Sequence, residues 1–160
     1  MIVLIRAVVY AAVFVGIVLI FLPARILLRF GVTGPLTIGA PQVVGMVVGV
    51  AGAALAAWCV LIFALVGKGT PAPFDPPRRL VVRGPYRLVR NPMYIGAGLA
   101  LAGAALFYQS SRFLVYVGLF FVASHLFVTR YEEPTLRQTF GTDYETYCQR
   151  VRRWWPSVGV

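Results

Sequence analysis

With 160 residues, 59% of them hydrophobic and only 12% charged, the chain carries more apolar sequence than a soluble domain of its size can bury. A net charge of +10 raises the question of an anionic partner, but the aromatics lie at the ends of the apolar runs and inside them. A basic, aromatic-interleaved face is missing, which excludes nucleic acid as the partner. His125 is the lone histidine, so no metal site built on several imidazoles is expected, and Cys59 and Cys148 are too far apart on this layout for a disulfide.

In chain order, Ile2 to Leu22 is interrupted only by Arg6 and as a helix would reach roughly 30 Å, a bilayer's hydrocarbon thickness. It is expected to be a first span. A cleaved signal peptide would have a shorter apolar core and a small-residue cleavage site in place of Leu22-Pro23-Ala24-Arg25. The second span, residues 42–66, is uncharged and sets Gly45, Gly49 and Gly52 on one helical face for close packing. Residues 67–91 form a loop. Its first part, through Pro71, Pro73, Pro76 and Pro77, is too proline-rich for a helix and is expected as an extended strap. The apolar Leu80-Val81-Val82 and the turn Gly84-Pro85-Tyr86 then fold it back against the bundle.

Asn91-Pro92 starts the third span, residues 92–108, because asparagine is a favoured N-cap and proline loses no N–H at the first helical position. Gln109-Ser110-Ser111 leaves almost no connector, so the fourth span, residues 112–128, is expected to return as the second arm of an antiparallel hairpin. Pro134 is expected to end that helix after Glu132-Glu133, leaving two carboxylates where the helix dipole disfavours them. In the tail, residues 129–160, Thr142 and Glu145 have capping-box spacing, and Tyr144, Tyr147, Cys148 and Val151 form an apolar stripe. With Trp154-Trp155 as interface anchors, this reads as an amphipathic helix on the membrane surface, able to lid a site. The fold class is therefore an all-α membrane protein: residues 1–160 as one domain with about four transmembrane helices, a C-terminal helical hairpin and a cytoplasmic amphipathic tail helix.

Arg6, the loop from Lys68 to Arg90 and the tail from Arg130 hold twelve of the fifteen Lys and Arg, which places both termini in the cytoplasm of a cell (inner) membrane. Membrane lipids then account for the basic balance. The unusual polar residues share that side. A helix start rich in N–H donors, flanked by Arg90 and Tyr94, would face the acidic pair Glu132-Glu133 across the hairpin. Such walls suit a ligand with a carboxylate at one end and an ammonium or sulfonium at the other.

The ordered set Leu80-Val81, Gly84-Pro85-Tyr86, Arg90-Asn91-Pro92-Met93-Tyr94-Ile95-Gly96, Glu132-Glu133 and Phe140-Gly141-Thr142-Asp143-Tyr144-Glu145-Thr146-Tyr147 resembles a known superfamily. It is similar to the integral-membrane isoprenylcysteine carboxyl methyltransferases and phospholipid N-methyltransferases, over roughly Gly67 to Pro156. The resemblance implies an S-adenosylmethionine-dependent enzyme methylating a lipophilic acceptor, a lipid amine or an isoprenoid carboxylate. It also implies a cofactor site lined by Leu80, Val81, Tyr86, Asn91, Pro92, Met93, Tyr94 and Glu132, and Gly67 and Gly69 look like the short glycine motif of the phospholipid enzymes. Asn91 stands where the carboxyl methyltransferases carry histidine, whereas Asn-Pro-Met-Tyr and Tyr-Glu-Glu-Pro look more like the phospholipid enzymes. Glu133, Tyr94 and Arg90 are the catalytic candidates, Glu133 as base if an amine must lose its proton, with Arg130 or Arg90 holding an acidic headgroup. Two alternatives stay open: a non-catalytic lipid-binding or scaffold protein retaining this fold, and a small transporter, for which the spans offer no mid-membrane ionisable residue besides His125.

Overall fold

A backbone surrounded by lipid must satisfy its own N–H and C=O groups, and the apolar runs of this chain do so as helices. The computed structural model describes residues 9, 12–67 and 79–156, with no strand among them. Six helices matter below: α1, Ala12–Arg29; α2, Ala40–Ile62; α3, Pro92–Tyr108; α4, Ser111–Phe127; α5, Glu133–Phe140; and α6, Thr142–Arg150. α1, α2 and the continuous run Ser111–Phe140 are each long and apolar enough to cross a membrane. α3, with 17 residues, spans about 26 Å, so its polar start at Asn91 falls near the hydrocarbon boundary. Exposed Val47, Val50, Val115 and Leu119 give the bundle an apolar outer surface suited to lipid.

The tightest contact joins α2 to α3, and it is made of backbone. A Cβ added at Gly52 would lie 2.5 Å from the Ala100 nitrogen, one at Gly45 2.6 Å from the Gly103 oxygen, and one at Gly96 2.7 Å from the Ala56 nitrogen. Small residues at these positions let the two helices touch, since dispersion between backbones replaces the hydrophobic driving force that lipid removes. Gln42 locks one end of the pair: its amide donates to the Phe107 carbonyl at 3.4 Å while its oxygen accepts from the Gly39 N–H at 3.0 Å. α3 turns into α4 through Gln109, left-handed at φ 48°, and Ser110, whose hydroxyl accepts from the Phe113 N–H. The hairpin core is Ala97, Leu101, Ala105, Phe113, Val117 and Phe120, against which α1 packs with Val18, Leu19 and Leu27.

Three expectations change. α1 does not end at Leu22 but passes through Pro23 to Arg29, the wider π turns of Val15–Phe21 absorbing the proline's missing N–H. Nor does Pro134 end the fourth helix. A π segment, Val128–Glu132, sends the Glu133 N–H to the Val128 carbonyl, and the Thr135 hydroxyl donates to the Tyr131 carbonyl at 2.8 Å, so the rod continues into α5. The acidic pair therefore sits within a helix, not at its C-terminus. Finally, Gly141, at φ 52°, occupies the cap of α6 with no side-chain bond, so Thr142 and Glu145 form no capping box. The strap's residues 68–78, Gly69 among them, lie outside the described residues, while from Leu80 onward the loop folds back, with Val81 buried beside Cys59 and Tyr86.

Gly103→Leu drives a side chain into the α2 backbone and is expected to destabilise the protein by about 1–3 kcal/mol, read as a lower melting temperature in detergent. Gly118→Ala, at a position with nothing within 4 Å, is expected to leave it unchanged or slightly raised.

Candidate active site

The start of α3 and the junction of α4 with α5 come together because the Gln109-Ser110 turn returns the chain beside itself. Between them, the loop from Leu80 and the buried side of α6 close a narrow cleft with a cavity volume of about 40 Å³. One wall carries Arg90 and Asn91 and the other Glu132 and Glu133; Leu80, Val81, Phe63 and Leu136 make the rest largely apolar.

The two carboxylates have different surroundings. Glu133 is buried and clasped: Arg153 donates from Nε to Oε1 at 2.7 Å and from a terminal nitrogen to Oε2 at 2.8 Å, while Arg90 lies 3.3 Å from Oε1. A bidentate guanidinium is the strongest neutral-pH partner a carboxylate has, and the same hydrogen bonds push the Arg153 pKa above its ordinary value. Glu132 accepts one hydrogen bond, from the Tyr94 hydroxyl to Oε2 at 3.2 Å, and among the described residues forms no salt bridge. Its carboxyl lines the cleft without a cationic partner among the described residues.

The donor wall is equally unsaturated. Arg90 gives one terminal nitrogen to Cys148 Sγ at 2.7 Å, but its buried Nε has no hydrogen-bond partner among the described residues. Asn91 begins α3 as expected but its side chain does not cap the helix; it donates instead to the Arg153 carbonyl at 3.2 Å. α6 completes the enclosure. The stripe of Tyr144, Tyr147 and Val151 is buried against Leu80 and Leu136, and the Tyr147 hydroxyl donates to the Tyr86 carbonyl at 2.7 Å. Burial pushes the Tyr86 and Tyr147 phenols well above their ordinary range, so both remain protonated and Tyr147 stays a donor.

Of the residues singled out in the sequence, Leu80, Val81, Tyr86, Arg90, Asn91, Glu132 and Glu133 line the cleft. Tyr94 reaches it through Glu132, Met93 packs behind it against Val81 and Tyr86, and Pro92 is fully buried at the helix start. Arg130 is exposed and outside the lining. Gly67 closes the π turn that ends α2, and Gly69 lies outside the described residues. Sequence reasoning missed Phe63, Val128, Leu136 and above all Arg153, which nothing in the run Arg152-Arg153-Trp154-Trp155 distinguishes from Arg152.

The family model described as Phospholipid methyltransferase matches residues 68–143, a segment holding every cleft residue except Phe63, Tyr144 and Tyr147. Two proteins named probable protein-S-isoprenylcysteine O-methyltransferase, from Oryza sativa subsp. indica and subsp. japonica, are each 33% identical over 87 residues. That alignment covers 53% of this chain and 44% of each relative, so the chain spans about half the length of the curated relatives it matches. No solved structure gives a significant match.

Arg153→Ala removes the bidentate partner of Glu133 and is expected to loosen the tail by about 1–3 kcal/mol. Hydrogen exchange should then rise about tenfold or more in residues 84–91 and 147–153 while the amides of α2 and α3 stay protected.

Proposed function

We propose that this chain, which belongs to the superfamily of integral-membrane isoprenylcysteine carboxyl methyltransferases and phospholipid methyltransferases, transfers a methyl group from S-adenosylmethionine to a lipophilic acceptor. The acceptor is a lipid amine or an isoprenoid-type carboxylate, methylated at the cytoplasmic face of a cell (inner) membrane, with both termini on that side. The observation that carries this reading is one cleft lined by Arg90, whose buried Nε has no hydrogen-bond partner, and by Glu132, which has no cationic partner, among the described residues.

The residue types lining the cleft suit the cofactor's groups, and the cleft, at about 40 Å³, has to open to admit it. The cofactor's carboxylate suits Arg90 and the first N–H groups of α3, which Asn91 leaves uncapped; its ammonium and sulfonium suit Glu132, and its adenosyl portion suits Leu80, Val81 and Tyr86. When bound it supplies a methyl already activated on sulfur, so the protein's work is positioning and electrostatics. Glu132 draws positive charge toward its own wall, and the Tyr94 hydroxyl fixes which oxygen faces the cleft. The apolar lining keeps water from the reacting centre. Glu133, held by two guanidiniums, acts as a positioning group that fastens Arg90 and the tail.

That commitment of Glu133 favours one acceptor class. An amine must surrender a proton before it attacks, and a carboxylate clasped by Arg153 and Arg90 is a poor base; a carboxylate acceptor needs none. Arg130, exposed beyond the cleft, remains the candidate contact for an acidic headgroup there.

Calorimetry with S-adenosylmethionine on the detergent-solubilised protein is expected to show binding, weakened at least about tenfold in Glu132→Gln. Absence of binding at about 1 mM cofactor overturns the reading in favour of a lipid-binding protein that retains the fold. With labelled methyl and a total lipid extract, the product is expected to be a methyl ester that mild alkali releases as methanol; an alkali-stable product identifies an N-methylated amine instead.

A further inference from the structure

The far end of the bundle, away from the cleft, carries a second polar feature that methyl transfer does not use. The last turns of α1 and the residue after it form an open pocket of about 450 Å³ lined by Leu22, Arg25, Ile26, Leu28, Arg29 and Phe30. Arg112, in the first turn of α4, stacks its guanidinium over the Phe30 ring at 4.4 Å, and Arg25 lies over Phe21 at 5.9 Å. Arg25 and Arg29 thus line the pocket, and Arg112 borders it through Phe30.

Among the described residues no carboxylate pairs with these arginines. The acidic residues among those described, Glu132, Glu133, Asp143 and Glu145, all belong to the other end of the bundle. Arg25 and Arg29 are four residues apart on one helix, where like charges repel, and Arg112 sits at the start of α4, where the dipole disfavours a cation. Both costs become gains when an anion sits between these side chains. The aromatic contacts restrict Arg25 and Arg112 beforehand, so less side-chain freedom is lost on binding. Exposed Leu28 and Phe30 alongside Ile26 offer apolar surface beside these charges.

We propose that Arg25, Arg29 and Arg112 bind the phosphate of an anionic phospholipid in the leaflet opposite the cleft, with its acyl chains on Leu22, Ile26 and Phe30. The site anchors the open end of α1 to α4 through the lipid. It is independent of the methyl-transfer chemistry.

The test is native mass spectrometry of the full chain in zwitterionic detergent with phosphatidylglycerol or phosphatidylcholine added. Wild type is expected to retain phosphatidylglycerol at least about tenfold better, and retention to fall roughly fivefold for each arginine removed by Arg25→Gln, Arg29→Gln and Arg112→Gln. The lysine replacements at the same positions should keep most of it. Excess inorganic phosphate is expected not to displace the lipid; displacement overturns the assignment to a phospholipid. Equal retention of the two lipids by wild type, or an unchanged preference in the triple Gln variant, overturns the site. Should that variant fail to fold, a photoactivatable phosphatidylglycerol in vesicles decides with wild type alone: adducts on residues 22–30 support the site, and adducts confined to residues 79–91 and 150–156 overturn it.

Discussion

The pairing of Glu133 with Arg153 is the interaction on which the polar half of this molecule depends. Glu133 belongs to the rod that crosses from α4 into α5, and Arg153 lies beyond α6, so two hydrogen bonds of 2.7 and 2.8 Å fasten the chain's last described segment to the bundle. Once that segment is in place, its carbonyls become acceptors for the loop: Arg152 takes the Arg90 N–H at 2.9 Å and Arg153 takes the Asn91 amide at 3.2 Å. Arg90 is thereby drawn within 3.3 Å of Glu133. Removing one partner of such a partly buried pair leaves the other charge in an apolar setting, which costs more than the pair itself contributes. The cleft is thus assembled from three distant parts of the chain around the Glu133 carboxylate and the loop–tail hydrogen bonds beside it.

Beneath this polar layer, the glycine contact of α2 and α3 sets the geometry. Backbones in contact at Gly52 and Ala100 hold Phe63 and the start of α3 at a fixed separation, and Cys59, Val81 and Tyr86 pack into the space that remains. Lipid gives no reward for bringing apolar faces together, so the approach has to come from small residues. The cleft's apolar floor is a consequence of helix packing well inside the hydrocarbon.

The apolar run and its first-turn proline made α3 readable to the residue, though Asn91 marks its start without capping it, and Gly45 and Gly52 announced their own contact by spacing alone. These are local signals: a proline that suits a first turn, small residues returning to one face. Pro134 carried the same kind of local signal and misled, because a proline's missing N–H can be absorbed by a π turn when tertiary packing favours a straight rod. Thr142 misled for a related reason: Gly141 adopts the positive φ that the chain reversal requires, and the capping box has no place to form. Arg153 was illegible in a stronger sense. It stands among Arg150 and Arg152 in the tail, and only the path of α6 decides which guanidinium reaches Glu133.

The adjacent carboxylates Glu132 and Glu133 show how one helical stretch can serve two purposes. Because consecutive residues on a helix point about 100° apart, one side chain turns toward Arg153 and Arg90 while its neighbour turns toward Tyr94 and the cleft. A lone carboxylate in that position would have had to choose between holding the tail and receiving a cation. With two, Glu133 engages Arg153 and Arg90, while Glu132 forms no salt bridge among the described residues. Glu132 is therefore the carboxyl left to the cleft, and a positively charged ligand is the species best able to complete the set.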